Sequence, residues 1–131
     1  MSAESPNGPV SASNGVVPLD ETALARLREL DPDGRHGVLR RVFTAFDNSL
    51  ARMLVQLAAE REDGHAAAVS AIAHTLKSSS ASVGALPLSR VCADVERRLR
   101  AGDDSNLRAD IESLLREGEA ALLSVRAMLR E

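Results

Sequence analysis

The sequence predicts an all-α protein, an antiparallel four-helix bundle with an additional short helix at its N-terminal end. Apolar residues recur at spacings of three and four, and no segment shows a sustained alternation of apolar and polar residues. Spacings of three and four are typical of helices that bury one face. Only 2% of the residues are aromatic, whereas strands are usually enriched in aromatic and β-branched side chains. Because the connecting segments are short, we expect the helices to pack antiparallel around one core.

The first predicted helix is short. Asp20 is placed to act as its N-cap, because a carboxylate at that position accepts a hydrogen bond from a free N–H group of the first turn. The turn sequence Asp31-Pro32-Asp33-Gly34 ends the helix. Its predicted inward residues are Ala23, Leu24, Leu27 and Leu30.

Four longer helices are predicted from apolar stripes that turn residues separate. The second helix ends by Asp63-Gly64, and the third runs from about His65 to a breaker at Gly84. The fourth starts near Pro87, and residues 101–105 form a loop before the fifth. The stripes that should face the core are, helix by helix, Leu39, Val42, Phe43, Phe46, Leu50, Met53, Leu54 and Leu57; Val69, Ile72, Ala73, Leu76 and Val83; Leu88, Val91, Cys92, Val95 and Leu99; and Leu107, Ile111, Leu114, Leu115, Gly118, Leu122, Val125 and Leu129.

Composition also suggests how the chain is divided. Residues 1–18 are rich in Ser, Pro, Gly, Asn and Ala, a composition that cannot bury enough apolar surface to offset the entropy lost on ordering. We therefore expect residues 1–18 to be a disordered tail or a linker, and residues 19–131 to form the bundle. No apolar run reaches the length of a membrane-spanning helix, and no secretory signal is evident. A cytoplasmic protein without direct membrane contact is expected.

Charge and cysteine content exclude several kinds of function. A formal net charge of −3 argues against a nucleic-acid-binding protein, which usually carries a basic surface. Cys92 is the only cysteine, so the chain has neither an internal disulfide nor a four-cysteine zinc site. We find no Ser-His-Asp or Cys-His set, no phosphate-binding glycine loop and no spacing typical of metal ligands. An independent enzyme and a metal site are therefore not expected.

The third predicted helix carries the most informative residue, His74. On a helical projection His74 lies well away from the core stripe, and Lys77 lies on the same side of the helix. An imidazole on such a face is accessible to a large partner molecule, and Lys77 is the one cation beside it on this side of the helix. The other interpretation is an ordinary solvated histidine. The remaining neighbours on this side are small: Ser70, Ala71, Ser78 and Ala81.

The segment His74-Thr75-Leu76-Lys77, followed by Gly84, resembles the signature of the histidine-containing phosphotransfer (HPt) family. That signature reads His-x-x-Lys-Gly, with a further glycine six residues later. The downstream residues Leu88, Cys92, Val95-Glu96 and Gly102-Asp103 also resemble the next helix and loop of the family. The likeness extends from about residue 19 to the C-terminus as a pattern of stripes. One position departs from the signature: Ser78 stands where the family usually has glycine.

The resemblance implies a phosphorelay intermediate without kinase activity of its own. His74 would accept a phosphoryl group from an aspartyl phosphate on a response-regulator receiver domain and pass it to another receiver domain. Lys77 would neutralise charge on the phosphoryl oxygens. Glu96 would lie near His74 and orient the imidazole, and Arg100 would lie on the same flank. The alternative interpretation is that Glu96 and Arg100 form an ordinary surface pair at i,i+4 spacing. The binding surface would also include Ser78, Gly84, Ala71 and Ala81.

The same resemblance suggests cofactors and partners. Mg²⁺ would come from the receiver domain, and this chain would need no cofactor of its own. The partners would be receiver domains and a hybrid sensor histidine kinase, with this chain a monomer. The chain could be a free-standing protein or the cytoplasmic end of a membrane-bound hybrid kinase.

Two other functions remain open. One is a degenerate adaptor that docks a receiver or kinase domain without carrying phosphate, which the departure at Ser78 motivates. The other is the dimerisation and phosphoacceptor region of a sensor kinase, which normally forms a two-helix hairpin. Arg97 and Arg98 are interpreted as ordinary solvated charges, unless they border the docking surface.

Overall fold

Five helices make up the fold of residues 16–131. The computed structural model describes residues 16–131, so most of the predicted N-terminal tail lies outside the described residues. Within that range the elements are α1 (Glu21–Glu29), α2 (Val38–Asp63), α3 (Ala66–Ser82), α4 (Leu86–Arg100) and α5 (Leu107–Leu129). The short connections make consecutive long helices antiparallel, with α3 packed mainly on α4 and α2 mainly on α5. The predicted all-α bundle with a short additional helix is confirmed.

One core runs through the four long helices. The predicted stripes supply it, and its largest fully buried side chains include Phe43, Leu50, Leu57, Leu76 and Leu88. Burying one such side chain contributes about 1.5–3 kcal/mol, so the helices are held mainly by this core. None of the helices in the described part of the chain is both long and apolar enough to cross a membrane.

The prediction for Leu30 is wrong. Leu30 was expected to face inward, but it is 67% exposed. The physical reason is that α1 ends at Glu29 and Leu30 is its C-cap. The projection that places every third or fourth residue inward does not extend past the last turn.

A backbone hydrogen bond to Gly84 links the end of α3 to the start of α1. The Asp20 N–H donates to the Gly84 carbonyl at 2.9 Å, and the Asp20 carboxylate caps α1 by accepting from the Ala23 N–H at 3.0 Å. Gly84 has φ +84°, and a Cβ built there would lie 2.7 Å from the Asp20 backbone nitrogen. Both the left-handed conformation and the close backbone approach therefore require glycine.

The loop between α1 and α2 is organised by Asp31, which is buried. The N-cap of α2 is Gly37, which has no side chain to accept a hydrogen bond. The Asp31 carboxylate replaces it, accepting from the Val38 N–H at 3.2 Å and from the His36 N–H at 3.1 Å. Burial raises the pKa of Asp31, but these backbone donors outweigh it and leave the pKa below its usual value.

Arg98 is not a solvated charge, in contrast to the sequence-based interpretation. Its guanidinium donates to the carboxylate of Asp110, which is buried at the start of α5. The interpretation failed because the partner lies on another helix, twelve residues further along the chain. Arg98 thereby ties α4 to α5.

Candidate functional site around His74

His74 projects from the middle of α3 into solvent. Its side chain is 60% exposed, while Ala73 and Leu76 on the same helix are buried. This is the exposure that the helical projection predicts. Ala71, Ser78 and Ala81 of α3 are exposed as well, so no bulky α3 side chain covers the imidazole from either end.

The neighbouring helix α4 places Glu96 directly against His74. The Glu96 side chain is only 6% exposed, and its Oε2 lies 2.7 Å from His74 Nδ1. Lys77 Nζ donates to Oε1 at 2.7 Å, and Arg100 Nε forms an ion pair with Oε2 at 3.0 Å. One buried carboxylate thus binds three side chains that each carry, or can carry, positive charge.

The protonation state of Glu96 follows from these contacts. The hydrogen bond from Lys77 lowers the pKa of Glu96, burial raises it, and the hydrogen bond to His74 lowers it again, so that the pKa ends below its usual value. Glu96 is therefore ionised at neutral pH and can only accept hydrogen bonds. A bond between Glu96 and His74 Nδ1 consequently requires the proton on Nδ1. In neutral His74, Nε2 then carries the free lone pair.

Lys77 differs from every other cationic residue of the chain. It is the only lysine beside fifteen arginines, and it lies one turn from His74 with its side chain part-exposed. Lysine places a compact charge on a flexible stem, whereas arginine presents a planar fork that binds a carboxylate through two nitrogens. A single flexible cation next to His74 is suited to moving between Glu96 and a newly arrived anion.

Two of the predicted binding residues make contacts within the protein. Gly84 is buried at the end of α3 against Asp20, where it serves the fold and does not line the surface around His74. The Arg100 side chain is exposed, but its Nε already forms an ion pair with Glu96.

Sequence reasoning missed further α4 residues beside the site. Ser89 Oγ donates to the Lys77 carbonyl at 2.8 Å, which fixes the register of α3 against α4. Ala93 and Arg97 line the depression next to Glu96. The available signal was the spacing of Ser89, Ala93, Glu96 and Arg100 at three and four residues along one side of α4.

A second group of polar side chains lies at the turn between α2 and α3. Potential metal-ligand atoms of Glu60, Asp63 and His65 lie within 4.8 Å of one another. Glu60 Oε1 accepts from the His65 N–H at 2.8 Å and contacts His65 Nδ1 at 3.1 Å. These two contacts show that Glu60 caps the turn by binding His65.

Comparisons with known proteins show the family of the chain. The family model of the Hpt domain matches residues 38–129, which span the four long helices. The crystal structure of the histidine-containing phosphotransfer protein B (HptB) from Pseudomonas aeruginosa PAO1 is similar, with a TM-score of 0.72 and 27% sequence identity. The match covers 86% of this chain and 94% of that one. No curated protein matches the sequence. The chain is therefore a member of the Hpt domain family, whose proteins carry phosphoryl groups in two-component phosphorelays.

Proposed function

We propose that His74 is the phosphoacceptor of this phosphorelay intermediate and that Nε2 is the nitrogen that carries the phosphoryl group. The observation that supports the proposal most strongly is the exposed imidazole whose Nδ1 is bound to the buried Glu96. This leaves Nε2 as the free nucleophile, at a position that a receiver domain can reach.

The Nε2 lone pair attacks the phosphorus of an aspartyl phosphate, and the P–O bond to the aspartate breaks as its carboxylate leaves. The ring then carries a positive charge, which the Glu96 carboxylate stabilises through the proton on Nδ1. When the aspartate of the next receiver attacks, the P–N bond breaks and its electron pair returns to Nε2. Because Nδ1 keeps its proton, the leaving group is neutral imidazole and the transfer can run in either direction.

Lys77 has the second role in this proposal. Phosphoryl transfer requires charge neutralisation at the oxygens of the transferred group, and Lys77 is the cation one turn from His74. Mg²⁺ would be bound by the receiver domain, so this chain needs no cofactor of its own. The chain has no kinase activity in this scheme. It acts as a cytoplasmic monomer between a hybrid sensor kinase and a second receiver domain.

Phosphotransfer profiling tests the assignment. The protein is incubated with each member of a panel of radiolabelled, phosphorylated receiver domains, alongside His74→Gln and the matched control His65→Gln, whose histidine is also exposed. We expect acid-labile, alkali-stable label on the wild type and on His65→Gln, and none on His74→Gln. Equal labelling of His74→Gln would exclude His74 as the acceptor.

A non-transferring adaptor is the second candidate, and Ser78 is the observation that favours it. Ser78 is exposed one turn from His74, where the family signature has glycine and where added bulk can obstruct a partner. Under this alternative a receiver domain binds without transferring phosphate. Transfer that appears only in Ser78→Gly would support it, whereas efficient transfer by the wild type would exclude it.

A further inference from the structure

A shallow groove lies between α3 and α4, directly beside His74. Its volume is about 240 Å³, and its lining is formed by Lys77, Ala93, Glu96, Arg97 and Arg100. We refer to this depression as the α3/α4 groove. The small side chain of Ala93 leaves room between the longer ones, so the groove is open to a segment of another molecule.

The surface of the groove is cationic. Three of its five lining residues carry positive charge, and the single carboxylate, Glu96, is 6% exposed and already bound by three side chains. Arg97 and Arg100 have side chains that are 69% and 66% exposed. The chain as a whole has a formal charge of −3, so this local excess of positive charge does not reflect a generally basic protein.

Arg97 is the groove cation that is most available to a partner. Arg100 and Lys77 are both bound to the buried Glu96. Among residues 16–131, the side-chain partner of Arg97 is the exposed Asp94, 3.1 Å away and one turn along the same helix. An exposed pair of this kind adds little to stability, so Arg97 can exchange Asp94 for a better-placed carboxylate at little cost.

We propose that the α3/α4 groove binds an acidic segment of the partner receiver domain, with Arg97 as the main contact. The inference rests on the proposed function, because it concerns the partner that approaches His74. A guanidinium binds a carboxylate through two parallel hydrogen bonds and so fixes orientation as well as adding attraction. Complementary charge at the rim of an interface acts mainly on association. Arg97 therefore sets how well the partner docks, and Lys77 and His74 perform the transfer.

The test measures transfer kinetics with the receiver domain that gives the fastest labelling in the profiling experiment. Arg97→Glu is compared with Arg116→Glu, the same change at an exposed arginine of α5. We expect Arg97→Glu to raise the receiver concentration for half-maximal transfer about five- to tenfold, with the maximal rate unchanged. The difference should shrink in high salt, which screens exposed charges. Arg116→Glu should change neither quantity by more than about twofold.

Several results would overturn the inference. Equal effects of the two substitutions would mean that only overall charge matters, and no effect of Arg97→Glu would mean that the groove stays empty. A lower maximal rate with unchanged half-saturation would place Arg97 in the chemical step. Failure of the proposed function looks different, because the wild type then takes no label from any receiver. In that case calorimetric titration with the receiver domains decides whether Arg97→Glu still weakens binding, and an unchanged affinity would refute the inference.

Discussion

Two carboxylates in this protein are almost completely buried and ionise more readily than usual, but different donors hold them. Asp31 accepts from backbone N–H groups at the start of α2. Glu96 accepts from the side chains of Lys77 and His74 and pairs with Arg100. Backbone donors cannot leave without unfolding the loop, whereas side-chain donors can rotate away. The comparison suggests that Asp31 belongs to the fold, and that Glu96, whose side-chain donors include an exposed histidine, can take part in chemistry. A side-chain donor alone is not sufficient, because Asp110 is also buried and bound by a side chain, and its pair with Arg98 links α4 to α5.

The largest effect should come from Glu96→Gln. The amide keeps the volume but loses the charge that holds the proton on Nδ1, so we expect the maximal transfer rate to fall about 100-fold, within the range for a lost acid–base or orienting group. Quenched-flow measurement of phosphotransfer checks the rate, and ¹⁵N chemical shifts of His74 report which ring nitrogen carries the proton. Glu62→Gln, at an exposed glutamate of α2, is the matched control. An unchanged rate and tautomer would remove Glu96 from the mechanism.

Lys77→Arg should reduce transfer by about tenfold, because a planar fork replaces a flexible point charge. An arginine here can bind both Glu96 oxygens and compete with His74 for Oε2, so it conserves charge and still disturbs the site. The maximal rate in the same quenched-flow assay measures the loss. Full activity of the arginine variant would show that only the charge at position 77 matters.

Asp31→Ala should affect stability and leave the transfer chemistry alone. Loss of the side-chain cap of α2 should lower the Tm by about 5 °C, with the transfer rate at 20 °C unchanged. Thermal unfolding followed by circular dichroism measures the shift. Asp33→Ala removes an exposed carboxylate from the same loop and should leave the Tm almost unchanged. A rate loss in Asp31→Ala would contradict the division between the two carboxylates.

The smallest effect should be a difference in acid sensitivity. Both carboxyl groups have a lower pKa in the folded protein than in the unfolded chain, so their contribution to stability is complete above the unfolded pKa values, about 4, and is lost as the pH falls through the folded values. Urea denaturation between about pH 6 and pH 2 should show this loss in the wild type. The slope should be shallower in Asp31→Ala and in Glu96→Gln, and shallowest in the double variant. Identical slopes in all four proteins would mean that neither group contributes.

Much of the fold could be predicted because its determinants are local. The Asp20 cap and the apolar stripes depend on residues within one or two turns of each other, and both are found, apart from Leu30 in the stripe of α1. The exposure of His74 was predictable for the same reason. The exposure of Leu30 was not predictable, because the position at which α1 ends depends on how the following loop folds.

The parts of the site that were not predicted depend on contacts between helices. Glu96 could be placed near His74 only through the family resemblance. The spacing along α4 groups Glu96 with Ser89, Ala93 and Arg100 on one side of the helix, but it does not indicate which helix that side faces. Arg97 and the α3/α4 groove follow from the register that Ser89 and Lys77 establish. The role of Asp31 was missed because its carboxylate accepts from a backbone group seven residues further along.

The single lysine also determines which chemical reagents reach the site. Apart from the N-terminal amine, an amine-directed reagent will modify Lys77, so coupling the protein to a surface through amines would block the face on which the partner docks. Thiol coupling is not a substitute, because burial raises the pKa of the Cys92 thiol to about 12 and keeps it from reagents. The single lysine is also useful for NMR spectroscopy. Reductive methylation with ¹³C-formaldehyde would give one lysine resonance, whose shift reports occupancy of the site directly.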